Sequence, residues 1–386
     1  MSSLRQFTDR CRTIAAAGLT REATVSELCV LVARAIRTNG LAAILTVDTR
    51  HEQPHEFRTW RGSQSMIDGL RMLMRAGIWP APDDIPSVQR LMTEHFDRSA
   101  FATTIWGEGA KEEGPWAQLW RERDIRHGLY TVARAQSGEI VVGLYQRGAA
   151  APPFTRDDLA FAEAATPFIA ATLDRTTPPC DVGDWLPSRE APIGFSPDGK
   201  LETLGHGALE FLSYAGGCGA EAVQQARAAV ELAISSLIRL QQQPLALSDA
   251  TADSFGESYL NIWKDRLSAE DRIVTVAETP FGRFDARVSL AVDLDGRMRV
   301  LGVLRQLIGR RTAVVRALID REVPAREIEI ALAVEQGASL TDAAKALDVS
   351  TETVKTLYRR LRTRFAGNDR EDLLRSMADL GTLALR

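Results

Sequence analysis

Polar and apolar positions repeat with different periods along the chain, and the changes of period mark its elements. In TVSELCVLVARAIRTNG (24–40) apolar residues recur at helical spacing, and Asn39-Gly40 is a helix-stop pair. LAAILTVD (41–48) follows and reads as a strand. GLYTVARAQSGEIVVGLYQR (128–147) holds two β-rich runs around Ser137-Gly138, the mark of a hairpin. PPFTRDDLAFAEAATPFIAATLDR (152–175) predicts a long helix. Thr155 is placed to cap it, Asp158 completes a capping box, and Pro167 is expected to kink it.

TTPPCDVGDWLPSREAP (176–192) breaks this pattern with Pro, Asp and Gly, and a linker is predicted over 177–189. In IGFSPDGKLETLG (193–205), Pro197-Asp198-Gly199 suits a turn between two strands. AEAVQQARAAVELAISSLIRLQQ (220–242) is helical in period. Phe284, Ala286, Val288, Leu290 and Val292 then alternate with more polar neighbours, and Asp295-Gly296 makes the turn of a second antiparallel hairpin. From 309 onward only helical periods occur. The expected organisation is an α+β multidomain chain: 1–176, a linker 177–189, a mixed segment 190–308, and an all-α segment 309–386. At roughly 100–200 residues per domain, 386 residues accommodate it.

Composition adds exclusions. A net charge of -4 gives no wholesale attraction to nucleic acid or membrane, so any such contact must come from a local patch. No stretch approaches the ~18 apolar residues that span a bilayer, and the N-terminus lacks a signal-peptide core, so a cytoplasmic protein without a membrane partner is expected. Cys11, Cys29, Cys180 and Cys218 lie far apart with no C-x-x-C pair, which fits a reducing compartment and not a zinc site. His51 and His55 sit around Pro54 with no third ligand and read as a solvent loop. There is no Walker-type phosphate loop and no G-x-S-x-G elbow. The chain is therefore read as a non-enzyme with no cofactor.

One local patch does stand out. DVSTETVKTLYRRLRTRF (348–365) gathers Lys355, Arg359, Arg360, Arg362 and Arg364 on a net-negative chain. At 100° per residue, Val354, Leu357, Leu361 and Phe365 fall on one stripe, and Lys355, Arg359 and Arg362 on another flank. Ser350 is a good N-cap. Upstream, SLTDAAKAL (339–347) starts with Ser339 as N-cap and Asp342 at the capping-box position, and Ala343 and Ala344 allow close crossing. Two short helices joined by a tight turn, the second cationic outside, are a helix-turn-helix. A solvated, charged surface helix is the plain alternative.

The segment VPAREIEIALAVEQGASLTDAAKALDVSTETVKTLYRRLRTRF (323–365) resembles the DNA-binding domain of the LuxR/FixJ family of bacterial transcription regulators. The resemblance is carried by REIEIALAVEQG with Gly337 at the turn, Ser339, Ala344, Leu347, Val349-Ser350, Thr353-Val354-Lys355 and the pair Arg364-Phe365. Its register holds from about 323 to 373. Ala343 stands where isoleucine is usual, Leu357 where histidine is frequent, and Val323-Pro324-Ala325-Arg326 in place of Leu-(Ser/Thr)-Pro-Arg. The resemblance implies that Lys355, Thr356 and Arg359 approach base edges and that Ser350, Thr351 and Thr353 lie near phosphates. Arg360, Arg362 and Arg364 are expected to meet phosphate or solvent. Asn368 is expected to cap a last helix. In the family that helix often pairs two subunits, which makes Met377 and Leu380 the dimerisation candidates. Leu373 and Leu374 are as well explained by packing on their own domain.

The order of elements in 1–176 resembles a GAF sensory domain, and 190–308 more faintly resembles a PAS module. Both imply an antiparallel sheet holding a small molecule or a partner protein. Trp79, Trp106, Trp116 and Trp120 crowd one part of the first segment, either lining a ligand pocket or filling core. The resulting expectation is a cytoplasmic transcription regulator: a homodimer that binds double-stranded DNA, takes a small-molecule effector in its N-terminal domain, and has RNA polymerase as a further partner. The alternatives are a sigma-factor-like promoter-recognition protein and a sensory enzyme with an accessory helix-turn-helix.

Overall fold

The computed structural model describes residues 3–38, 42–48, 53–60, 99–104, 107–108, 115–122, 124–175, 185–196, 200–205, 208–215, 224–232, 235, 272–279, 282–292 and 298–383. The chain divides into two compact units, Met1–Leu186 together with Gly309–Arg386, and Pro187–Ile308. The fold is α+β with a helical C-terminal stretch.

The first unit opens with α1 (Leu4–Ala15), α2 (Arg21–Ala35), β1 (Ala42–Asp48), β2 (Gln53–Trp60), β3 (Ala100–Thr104), α3 (Pro115–Glu122), β4 (Ile125–Arg134), β5 (Ile140–Gly148) and α4 (Arg156–Leu173). Its strands form an antiparallel sheet in the order β2-β1-β5-β4-β3. The predicted hairpin is β4–β5. It turns at Gly138, whose φ of 89° lies in the left-handed region that glycine enters without a Cβ clash. α4 begins at the predicted capping box: Thr155 Oγ1 accepts from the Asp158 N–H at 3.2 Å, and the Asp158 carboxylate accepts from the Thr155 N–H at 2.7 Å. The helix runs through Pro167 to Leu173.

α2 stops sooner than the Asn39-Gly40 pair suggests. Arg37 takes a φ of 51°, and the Thr38 N–H returns to the Ala33 carbonyl at 3.0 Å. Asn39 and Gly40 lie outside the described residues. Arg147 on β5 holds that end. It donates to the carbonyl of Ile36, to those of Pro152 and Pro153, and to Asp158 at 3.2 Å, with its guanidinium 4.1 Å from the centre of the Phe154 ring. One planar cation thus joins α2, β5 and the start of α4. α1 packs on α2 and α4, with Phe7 edge-on to Phe161 at 5.1 Å between ring centres.

The second unit contains β6 (Trp185–Phe195), β7 (Leu201–Leu204), α5 (Ala208–Ala215), β8 (Arg272–Thr279), β9 (Gly282–Val292) and β10 (Met298–Gly309). Residues 185–189, expected to be linker, are the start of β6, because a partner strand is supplied by β10. The strand order β7-β6-β10-β9-β8 repeats that of the first sheet position for position. The predicted strands on either side of 197–199 and of 293–297 are present, and both turns themselves lie outside the described residues. Phe195, Leu201, Phe211, Leu212, Phe284 and Leu304 make the core. Residues 224–232 are helical and are tied to β7 by Glu231, whose carboxylate accepts from the Leu201 N–H at 3.0 Å.

The C-terminal stretch forms α6 (Arg310–Asp320), α7 (Ala325–Glu335), α8 (Leu340–Ala346), α9 (Thr351–Phe365) and α10 (Arg370–Leu383). The sequence division sets 309–386 apart from 1–176, whereas the two share one compact unit. The reason is α6. Val314, Val315, Leu318 and Ile319 are all fully buried, so the helix needs cover on more than one side. α10 lies along one side and α2 meets another. A Cβ on Gly381 would collide with the Ala313 carbonyl oxygen, so only glycine lets α10 approach α6 this closely.

Candidate nucleic-acid interface

The candidate site is built on α8 and α9. α7 ends at Gln336, and Gly337 turns the chain with a φ of 97°. Ser339 then caps α8: its hydroxyl accepts from the Asp342 N–H at 3.1 Å and donates to the Asp342 carboxylate at 2.6 Å. That hydroxyl is the main cause holding the Asp342 carboxyl below its ordinary pKa. Ala343 and Ala344 are buried where α8 meets α9. Alanine at 343 leaves no gap that exposes it to solvent.

The turn between the two helices is closed locally. Asp348 takes a φ of 51°, and the Val349 N–H returns to the Ala344 carbonyl at 3.1 Å. An aspartate tolerates this conformation better than most residues. Ser350 caps α9 as predicted, accepting from the Thr353 N–H at 3.1 Å and sharing a 2.8 Å hydroxyl contact with Thr353. Val354, Leu361 and Phe365 are buried, and Leu357 is only half-buried.

The opposite flank of α9 is exposed. Glu352, Thr353, Lys355, Arg359, Arg360 and Arg364 face outward, with Thr351 and Thr356 half-buried beside them. Lys355 lies 3.6 Å from Glu352, and with side chains 53% and 75% exposed the pair is screened by water. Lys355 therefore stays available to an anion. Lys355 and Arg359, at i and i+4, share one face.

Two of the basic residues have other duties. Arg362 donates through Nε to the Gly367 carbonyl at 3.1 Å, closing the C-terminus of α9, where Ala366 takes a φ of 52°. Arg364 lies 3.8 Å from the carboxylate of Glu327, a side chain only 4% exposed. Its expected phosphate contact would compete with that buried partner. The last helix is capped by Asp369 and not by Asn368: Asp369 Oδ1 accepts from the Asp372 N–H at 2.9 Å. Met377, a dimerisation candidate, is fully buried within its own chain, so this arrangement leaves it no surface for a second copy. α10 spends that face on α6. Leu380 is half-buried.

The tryptophan cluster is answered only in part. Trp79 and Trp106 lie outside the described residues, and Trp116 is on α3. Trp120, also on α3, is buried. Cys11 and Cys29 are buried and not joined in a disulfide, and burial pushes the Cys11 thiol up to about 12, which leaves it protonated and inert. Among the described residues no group of His, Cys, Asp and Glu is placed to hold a metal, and no helix is long and apolar enough to cross a membrane. The residues that sequence reasoning missed are Glu27, Arg34, Arg316 and Asp320, which join α2 to α6. Nothing in their spacing announces the pairing. No protein-family model and no curated protein matches the chain.

Proposed function

We propose that the chain is a LuxR/FixJ-type transcription regulator that binds specific double-stranded DNA through α8 and α9. Its N-terminal segment is a GAF-like sensor for a small-molecule effector, and 190–308 is a PAS-like module. The observation that carries this reading is the outer face of α9. Lys355 and Arg359 project from a capped, 15-residue helix whose other face is anchored by Val354, Leu361 and Phe365. A helix so held presents its N-terminal half to a major groove, where arginine and lysine pair with guanine O6 and N7. Support for the sensor part is coarser: a five-stranded antiparallel sheet packed against helices in the first unit, and the same strand order in the second.

The test is selection by the full chain from a random duplex pool, followed by titration of the enriched duplex. Arg359→Ala should weaken binding by ~1–3 kcal/mol and relax preference at one base position, with an unchanged melting temperature. A wild-type chain that enriches no sequence, or an Arg359→Ala chain that binds as wild type does, would make the cationic stripe a solvated face and end the reading.

A further inference from the structure

The first sheet has two unlike faces. Arg147 on β5 reaches the end of α2 and the start of α4, so its side chain marks the face turned toward those helices. Gln146 is its neighbour on the strand and points to the other face, because successive side chains of a strand alternate. Residues directly opposite each other on paired strands share a face. Gln146 therefore stands in a row with Gly128 of β4 and Thr103 of β3, and the next row is Leu144, Tyr130 and Phe101. The Phe101 and Tyr130 rings are stacked, 4.8 Å between centres and 5° from parallel. Leu144, Tyr130 and Phe101 are all buried.

Gln146 is 0% exposed, yet neither the oxygen nor the nitrogen of its side-chain amide has a hydrogen-bond partner. Its main-chain N–H and carbonyl are both served by the Thr38 hydroxyl. Buried amides are almost always paired, and an apolar side chain of the same shape would serve the fold at least as well. The amide presents an acceptor beside its donors to whatever meets this face. A carboxylate would satisfy the nitrogen and repel the oxygen. An ammonium would do the reverse, and either would bring a charge among apolar side chains. A neutral group with a donor next to an acceptor satisfies both atoms. Gly128 brings no side chain, so no β4 side chain stands in the row between Gln146 and Thr103, two strand spacings or roughly 10 Å apart. The stacked rings alongside are a flat apolar neighbour for a planar ligand.

We propose that this face of the first sheet binds a neutral, planar small molecule with an amide edge, a heterocycle of the lactam type, and that Gln146 reads that edge. The Gln146 nitrogen donates to the ligand carbonyl and the Gln146 oxygen accepts from the ligand N–H. The ring lies over Gly128, beside Tyr130. This inference rests on the effector reading of the N-terminal segment and narrows it to a ligand class and a specificity-determining residue.

The experiment titrates the full chain, as wild type and as Gln146→Met, with three sets of probes followed by ligand-observed NMR. The first set is uracil and hydantoin, the second their fully N-methylated counterparts, and the third benzoate and benzylammonium. Gln146→Met keeps the length of the side chain and removes both orphaned atoms. Wild type should bind the first set at least ~10-fold more tightly than the second, because a site built to pair with an N–H rejects the analogue that lacks it. Gln146→Met should lose that preference and, without any probe, melt at or above the wild-type temperature. Equal binding of the first two sets by wild type, or a preference that survives in Gln146→Met, overturns the inference. A lower melting temperature of Gln146→Met without probe also overturns it, since the amide then serves the fold itself. If only methylated or charged rings bind, the amide edge is wrong and the effector reading stands. If no probe binds, the amide inference falls, and the effector reading is decided separately by whether a metabolite extract raises the wild-type melting temperature.

Discussion

At the scale of the residue, the basic side chains of α9 separate by what stands opposite them. Arg359 is exposed, Lys355 is exposed beside an exposed Glu352, Arg362 meets a backbone carbonyl, and Arg364 faces the buried Glu327. Arg359 and Arg364 should therefore fail differently. Arg364→Ala removes a charge that faces the buried Glu327 carboxylate at 3.8 Å, too far for a hydrogen bond, and it should lower stability by no more than about 1 kcal/mol. A denaturant titration checks this, and DNA titrations at several salt concentrations accompany it. If Arg364→Ala keeps full stability and instead flattens the salt dependence by about one unit, the residue is a phosphate contact and the Glu327 pair is incidental. Leu361→Ala differs from both. It should cost ~2–5 kcal/mol of packing, and DNA binding should fall only as the fold does.

At the scale of the element, many of the described helix ends and turns are closed by hydrogen bonds within a few residues, while other links join elements farther apart in sequence. Asp174, at the end of α4, accepts from the backbone N–H groups of Gln136 at 2.9 Å and Ser137 at 3.0 Å in the β4–β5 turn. These bonds, the Gln136 N–H first, hold its carboxyl below the usual carboxylate range. A carboxyl with a lowered native pKa contributes stability that is present above its unfolded pKa and lost as pH falls through the native one. Asp174→Asn should therefore be less stable than wild type at neutral pH, and the difference should vanish as pH falls through the lowered native value. Chemical unfolding of both proteins across pH 2–7, in steps of roughly half a unit around the unfolded carboxyl pKa of ~3.9, reads it. A difference independent of pH would mean that the carboxylate charge has no part in the link.

At the scale of the whole molecule, the chain is organised in two compact units, and its last helices belong with its first. This bears on assembly. The burial of Met377 removes the simplest dimer contact on α10 and leaves half-buried Leu380 as the candidate there. A dimer on DNA should protect two half-sites roughly 10 bp apart or a multiple of that. Sedimentation of the full chain across a concentration series, with and without the enriched duplex, should show two chains per site. A single chain protecting one unrepeated half-site would rule out the dimer. Leu380→Asp should weaken the two-chain complex while leaving the single-chain melting temperature unchanged, because that side chain is only partly covered.

What could be read without a structure was what short-range geometry dictates. The capping box of Thr155 and Asp158, the hairpin at Ser137-Gly138, the N-caps Ser339 and Ser350 and the apolar stripe of Val354, Leu361 and Phe365 each need only residues a few positions apart. Their hydrogen bonds and periods are written into neighbouring residues, so the α8–α9 motif and its cationic face were legible. Only the tertiary structure decided who covers α6, which turned a separate C-terminal segment into part of the first unit. It also decided that Met377 is interior, that Arg364 faces Glu327, and that 185–189 joins a strand. In each of these the deciding partner lies in another element. Glu27 and Arg316 stand 289 positions apart, and no local pattern of charge or period says which buried arginine will find which buried carboxylate. That choice is made by packing, where apolar faces bring distant helices together and the charges settle among the neighbours they are given.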